Sequence, residues 1–237
     1  MRISGSVALV TGANRGLGKH FTQHLLERGA SKVYATARNP ELIDIAGVEK
    51  LRLDVTDPQS VADAAAAAPD VTLLINNAGL ATGANLVSGD LSKIRLEMDT
   101  HFYGTLGMVR AFAPVLASNG GGGILNALSA LSWFSYDGAN AYSAAKAAAW
   151  SLTNGIRIEL AEQGTLVTGL HLGAADTDMA AGYDGDKMAP AEVVRAALDG
   201  IEADKLEVIA DEWSAYVKAS LAGDPSEFYT AASASAS

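Results

Sequence analysis

Val7-Ala8-Leu9-Val10-Thr11-Gly12-Ala13-Asn14-Arg15-Gly16-Leu17-Gly18 joins a short apolar run to a glycine-rich turn. An unbroken apolar run of this length fits a strand buried on both faces. The turn from Thr11 to Gly18 then opens a segment of helical periodicity, Gly16–Arg28. Glycines permit the tight turn and let backbone N–H groups approach a pyrophosphate, which then sits at a helix N-terminus. A glycine-rich turn can be only a turn, but between a first strand and an amphipathic helix it signals dinucleotide binding. Gly12, Asn14, Arg15, Gly16, Leu17 and Gly18 are the cofactor-binding candidates of this segment.

Working outward, short apolar runs alternate with longer helical stretches. Strands are predicted over Val7–Val10, Lys32–Thr36, Lys50–Leu53, Val71–Ile75, Gly123–Ala127, Leu166–Leu170 and Glu207–Ala210. Helices are predicted over Gly16–Arg28, Gln59–Ala67, Leu91–Leu116, Ala141–Gln163 and Ala191–Asp199. Such alternation indicates an α/β fold: a single-domain, Rossmann-type, doubly wound parallel sheet of about seven strands with helices on both faces. With no internal repeat and no dividing linker, residues 1–225 form one catalytic domain, its cofactor half about 1–120 and its catalytic and substrate half about 121–225. The Ala- and Ser-rich tail, 226–237, is expected to be disordered.

Composition narrows the function. The chain has 237 residues, 49% hydrophobic and 19% charged, as expected of a globular domain with a substantial core. A net charge of −10 offers no basic stripe for a nucleic-acid backbone. With no cysteine there is no disulfide, thiolate zinc site or cysteine nucleophile. His20 and His24 are spaced as a helical metal pair but lack an evident third ligand, so no metal is expected. No apolar run is long enough for a signal peptide or a bilayer span, and a cytoplasmic location without membrane contact is expected.

The second strand ends at Tyr34-Ala35-Thr36-Ala37-Arg38. An NAD site usually places an acidic residue there, on the ribose 2′-hydroxyl. None is present. Arg38, with Arg15 in the turn, can instead pair with a 2′-phosphate, which suits guanidinium geometry. The cofactor is therefore expected to be NADP(H), unless Arg38 is an ordinary surface arginine.

Tyr142-Ser143-Ala144-Ala145-Lys146 lies in the helix predicted from Ala141. Helical spacing puts Tyr142 and Lys146 on one face. A free phenol, with a pKa of roughly 10, holds its proton too tightly for transfer near neutrality. A neighbouring ammonium favours the phenolate and makes the tyrosine a usable acid or base. Taken alone, this spacing is as compatible with a solvated lysine beside a half-buried tyrosine.

Together these segments resemble the short-chain dehydrogenase/reductase family over essentially the whole chain. Gly12-x-x-x-Gly16-x-Gly18 is similar to its cofactor turn, Asp54-Val55 to its adenine-side pair, and Asn76-Asn77-Ala78-Gly79 to its Asn-Asn-Ala-Gly motif. The resemblance implies that Asn77, Ala78, Gly79 and Thr177 also contact the cofactor. Ser129 stands thirteen residues before Tyr142, at the family's catalytic serine. The resemblance thus implies that Tyr142 transfers the proton, Ser129 bonds the reacting oxygen, and Lys146 lowers the tyrosine pKa and holds a ribose hydroxyl. Two positions depart from the pattern. His101, in Thr100-His101-Phe102-Tyr103-Gly104, takes the place of the catalytic asparagine, and Leu172-Gly173 replaces Pro-Gly. The asparagine holds a water linking the lysine to solvent; an imidazole can do the same, and it changes charge near neutrality. It can equally be a buried neutral ring that fills the helix face.

The substrate is read as a small carbonyl or alcohol compound. Trp133, Phe134 and Tyr136, between Ser129 and Tyr142, either border an apolar or aromatic substrate or serve in the core or a subunit contact. Tyr183 lies in a short covering segment, Asp178–Lys187, and His171 at a strand end is read as packing. The long apolar helices imply, by the resemblance, a homodimer or homotetramer. An NADPH-dependent reductase of imines or another double bond, and a non-catalytic dinucleotide sensor, are the alternative functions. A sensor has no need of a proton donor.

Overall fold

The computed structural model describes residues 1–234. Seven strands form one sheet: β1 (Val7–Thr11), β2 (Lys32–Ala37), β3 (Glu49–Arg52), β4 (Leu73–Asn76), β5 (Gly123–Ala127), β6 (Leu166–His171) and β7 (Glu207–Ile209). Their order is β3-β2-β1-β4-β5-β6-β7, and every pairing is parallel. The order reverses between β1 and β4, which opens a crevice at the carboxyl ends of the strands. This is the doubly wound sheet expected from the sequence.

The helices are α1 (Gly16–Glu27), α2 (Pro58–Ala67), α3 (Leu91–Met98), α4 (Thr105–Ser118), α5 (Asn140–Glu159), α6 (Pro190–Glu202), α7 (Glu212–Ser220) and α8 (Pro225–Ala234). Alternate residues of each strand feed opposite cores. Ala8, Val10, Leu73 and Ile75 pack with Phe21 and Leu25 of α1 and with Val193, Val194 and Ala197 of α6. Leu9 and Leu74 pack with Val61 of α2, Met108 and Phe112 of α4, and Leu152 and Ile156 of α5. A strand buried on both faces must be apolar throughout, which is why these runs do not alternate.

Three elements differ from expectation, one of them α7, where no helix is predicted. The helix predicted over Leu91–Leu116 is interrupted by a π-helical turn, Asp99–Gly104, between α3 and α4. Periodicity reads only which side is apolar, and one wide turn leaves that unchanged. The segment expected to be disordered from residue 226 is helical over Pro225–Ala234. Phe228 is buried there with Val217 of α7 and Ala130, backed by Trp133 and Phe134. Short Ala-Ser runs carry little helical stability alone, and this aromatic anchor supplies the tertiary contact. The last three residues of the expected tail, 235–237, lie outside the described residues.

Candidate active site

The carboxyl ends of β1, β2, β4, β5 and β6 open into a cleft of about 640 Å³. The glycine-rich turn forms one wall. Gly12 and Gly16 adopt φ of +69° and +52°, in the left-handed region. Gly18 is required by space: a Cβ there would lie 2.0 Å from the Gly12 carbonyl oxygen. Asn77 locks the turn, donating from Nδ2 to the Thr11 oxygen at 2.9 Å, and Thr11 Oγ1 accepts the N–H groups of Asn77 and Ala78. Gly12, Asn14, Arg15, Gly16, Leu17, Arg38, Asp54, Val55, Asn77, Ala78, Gly79 and Thr177 all line the cleft, whereas Gly18 packs behind it.

Arg38 is exposed at the end of β2. Burial works to raise the Asp54 carboxyl, but the Thr56 hydrogen bonds, and after them the charges of Arg38 and Arg52, hold it below the usual range. Asp54 accepts from Thr56 N and Oγ1 at 3.0 and 2.7 Å. Arg15 reaches Asp178 at 3.3 Å, an exposed pair tying the turn to the Asp178–Lys187 segment. That segment is anchored by backbone bonds from Asp176 N to Met188 O and from Met188 N to Ala174 O. A nucleotide phosphate fits this wall: it is built of glycine backbone at a helix start, with two arginines beside it and no acidic residue at the end of β2.

Ser129, Tyr142, Lys146 and His101 all meet in the same cleft. Ser129 follows β5 and begins a short 3₁₀ turn, where its Oγ accepts the Leu131 N–H at 3.1 Å. The same hydroxyl is a hydrogen-bond partner of the Tyr142 phenol and favours its phenolate. Burial and the nearby Glu97 carboxylate act more strongly and push the phenol above its ordinary value. The lowering expected from Lys146 is not seen: burial, not the lysine, sets the direction of the phenol's shift. Lys146 is buried and stands 5.4 Å from the Tyr142 ring centroid, donating instead to the Ala127 carbonyl at 2.7 Å. Burial brings Lys146 down to about 8, against the opposing effect of Glu97.

His101 occupies the π-helical turn and is 2% exposed. Its ring stands edge-on to that of Tyr142, centroids 5.1 Å apart. Burial, then the Lys146 charge, lowers its pKa despite Glu97. Burial thus favours the neutral ring and moves the change of charge expected from a solvated histidine to lower pH. Glu97, unassigned from sequence, is the charge common to Tyr142, Lys146 and His101. A carboxylate four residues before the histidine on one helix was the available signal.

The aromatic substrate candidates lie elsewhere. Trp133 stacks on His171, centroids 3.9 Å apart, and Phe134 packs against Trp213 and Phe228. Both rings are drawn toward α7 and α8, elements absent from the expected fold. Tyr136 and Tyr183 are 52% and 47% exposed and do not line the cleft. The apolar lining of the cleft includes instead Leu80, Leu96, Leu172, Ala174, Met179 and Ala180. His171 is fully buried, with Nδ1 3.0 Å from the Ser129 carbonyl oxygen, and burial lowers its pKa to about 4.

Comparison with known proteins agrees with this geometry. The family model for short chain dehydrogenases matches residues 6–187. The chain belongs to the short-chain dehydrogenase family of oxidoreductases, whose cofactor is a nicotinamide dinucleotide. A short chain dehydrogenase from Burkholderia cenocepacia J2315, solved with NADP, is 40% identical and superposes with a TM-score of 0.93 over 97% of this chain and 98% of that one. A Sphingobium yanoikuyae short-chain dehydrogenase solved with NADPH is 26% identical, with a TM-score of 0.80 over 90% and 93% of the two chains. The NADPH-dependent 1-acyldihydroxyacetone phosphate reductase of Schizosaccharomyces pombe is 35% identical over 71% of this chain and 60% of its own length. No helix among the described residues is long and apolar enough to cross a membrane.

Proposed function

We propose that this chain is an NADP(H)-dependent carbonyl reductase or alcohol dehydrogenase acting on a small apolar substrate. The observation that carries this reading is the convergence of Ser129, Tyr142 and Lys146 in one cleft with the glycine-rich turn. Nicotinamide bound there supplies the hydride to a carbonyl carbon, or takes it from an alcohol carbon.

The protein's own groups orient the substrate and move the proton. Ser129 Oγ donates to the substrate oxygen, where negative charge develops. Tyr142 gives its phenolic proton to that oxygen in reduction and takes it back in oxidation. Lys146, cationic below about pH 8, favours the phenolate left behind. Leu80, Leu96 and Met179 favour an apolar substrate body and exclude water. Arg38 and Arg15 favour the 2′-phosphate of NADP(H), and the NADP and NADPH complexes of the relatives support that choice.

The imine alternative would use a donor other than Tyr142, yet the Nε2 of His101 is directed to the Leu80 carbonyl. Half-exposed Tyr103 and largely exposed Ile158, beside α4 and on α5, suit the pairing of these helices in a homodimer or homotetramer. The test is to assay purified protein with NADPH against aldehydes, ketones, quinones and cyclic imines. Turnover of carbonyls is expected, and turnover of imines alone overturns the reading.

A further inference from the structure

Glu97 lies one turn before His101 and is 0% exposed, an uncommon place for a carboxylate, because an unpaired buried charge is destabilising. Its Oε1 accepts the Thr82 N–H at 2.6 Å. Its Oε2 stands 3.3 Å from His101 Nε2 and has no hydrogen-bond partner of its own among the described residues. That same Nε2 is 2.8 Å from the Leu80 carbonyl oxygen, and the Leu80 N–H points at it from 3.5 Å. The shorter contact decides: a ring nitrogen 2.8 Å from a carbonyl oxygen, which can only accept, carries the proton. In a neutral imidazole Nδ1 is then the acceptor. Space enforces the ring position: a Cβ on Gly79 would lie 2.7 Å from His101 Cε1.

We propose that Glu97 is a positioning residue of this site, holding His101 in its Nε2–H form with Nδ1 as acceptor and supplying the site's negative charge. This rests on reading Tyr142, Ser129 and Lys146 as the hydride-transfer machinery. The ionisable groups that face Glu97 are His101 on the adjoining turn and Tyr142 and Lys146 on α5, with Tyr136 acting on Tyr142 from the preceding loop. Glu97 favours the protonated form of all three neighbours, as a negative charge must. Its pairing with His101 places an acceptor, not a second cation, beside Tyr142, so the phenol keeps the proton it delivers in reduction.

Glu97→Gln keeps the acceptor for Thr82 and removes the charge. In cofactor-free, full-length protein, lysine side-chain NMR titrates Lys146, its signal identified by its loss in Lys146→Met. The midpoint is expected near about 8 in the unmodified protein and lower in Glu97→Gln, the direction that loss of an opposite charge requires. An unchanged midpoint overturns the proposal. If Glu97→Gln does not fold, imidazole ¹⁵N shifts of the unmodified protein decide, with His101 assigned through His101→Asn. The Nε2–H form at pH 7 upholds the proposal, and the Nδ1–H form or an imidazolium overturns it. NADPH titration and the activity of Tyr142→Phe test the hydride-transfer reading separately, so its failure is distinguishable from that of Glu97.

Discussion

Lys146 donates to the Ala127 carbonyl oxygen at 2.7 Å, which anchors its ammonium to the last residue of β5. The phenol one helical turn earlier is instead a partner of Ser129. The lysine therefore has a structural cost as well as a chemical role, because it is a cation held in a buried place. Burial brings its pKa from the ordinary lysine value down to about 8.

That depression predicts a stability profile. Below about pH 8 Lys146 is charged in both folded and unfolded chains, and the burial penalty is fully present. As pH rises from about 8 toward 10.5 the folded chain has lost its proton while the unfolded chain still holds one, so the penalty is relieved. Relative to Lys146→Met, the unmodified protein should gain roughly 2–3 kcal/mol between pH 7 and pH 10, at 1.36 kcal/mol per pKa unit. Urea unfolding of both proteins across that range checks this. A constant difference would mean that Lys146 titrates normally.

Tyr142→Phe removes one hydroxyl and leaves the ring against His101. Carbonyl reduction should fall roughly a hundredfold to ten-thousandfold, the usual contribution of general acid catalysis. NADPH affinity, measured by fluorescence titration, should hold. Near-normal turnover would place the proton donor elsewhere.

The sheet and its order of elements were legible because each strand is buried on both faces, and Val7–Val10 or Leu73–Ile75 must then be unbroken apolar runs. The site was legible where chemistry follows chain spacing, as for Tyr142 and Lys146 on one helix face. What was not legible depends on contacts distant in sequence. The π-helical turn at His101 leaves the apolar pattern of α3 and α4 intact. Trp133 and Phe134 looked like substrate residues because the rings that claim them, Trp213 and Phe228, belong to the chain's last two helices. Glu97 looked like any helix carboxylate until Thr82 and His101 enclosed it.

Phe228→Ala tests the docking of α8. The ring is 8% exposed and packs against Phe134, Trp213 and Tyr216. Truncating a buried phenylalanine costs about 3–5 kcal/mol, and this small peripheral cluster should give the lower end. The melting temperature should fall by several degrees, since about 1 kcal/mol shifts a domain of this size by roughly 2–4 °C. An unchanged melting temperature would mean that α8 contributes nothing to the fold.

Arg38→Asp should reverse cofactor preference. It removes a charge-assisted contact to the 2′-phosphate and offers a carboxylate to a 2′-hydroxyl instead. The contact is worth roughly 1.5–3 kcal/mol, on the order of a tenfold to hundredfold loss of NADPH affinity. Arg15 is shared with Asp178 at 3.3 Å, so Arg38 should carry more of the discrimination than Arg15→Ala reveals. Fluorescence titration with both dinucleotides decides the matter, and tighter binding of NADH by the unmodified protein would refute the assignment.

His101→Asn tests what the imidazole supplies. Had the ring been solvated, its ordinary pKa of about 6.5 would give the rate profile a titration that asparagine erases. Burial and Lys146 lower that pKa, so any titration that asparagine erases should lie on the acid side of the ordinary histidine value. An amide oxygen can still accept where Nδ1 does, so activity should stay within about tenfold, or roughly 1.4 kcal/mol in the barrier. His101→Leu fills much of the space but accepts nothing, and it should lose substantially more activity than the asparagine variant. Equal activity of the asparagine and leucine variants would show that the ring only fills the turn between α3 and α4. A titration near pH 6.5 present in the unmodified protein and absent from His101→Asn would show instead that the ring carries charge during turnover.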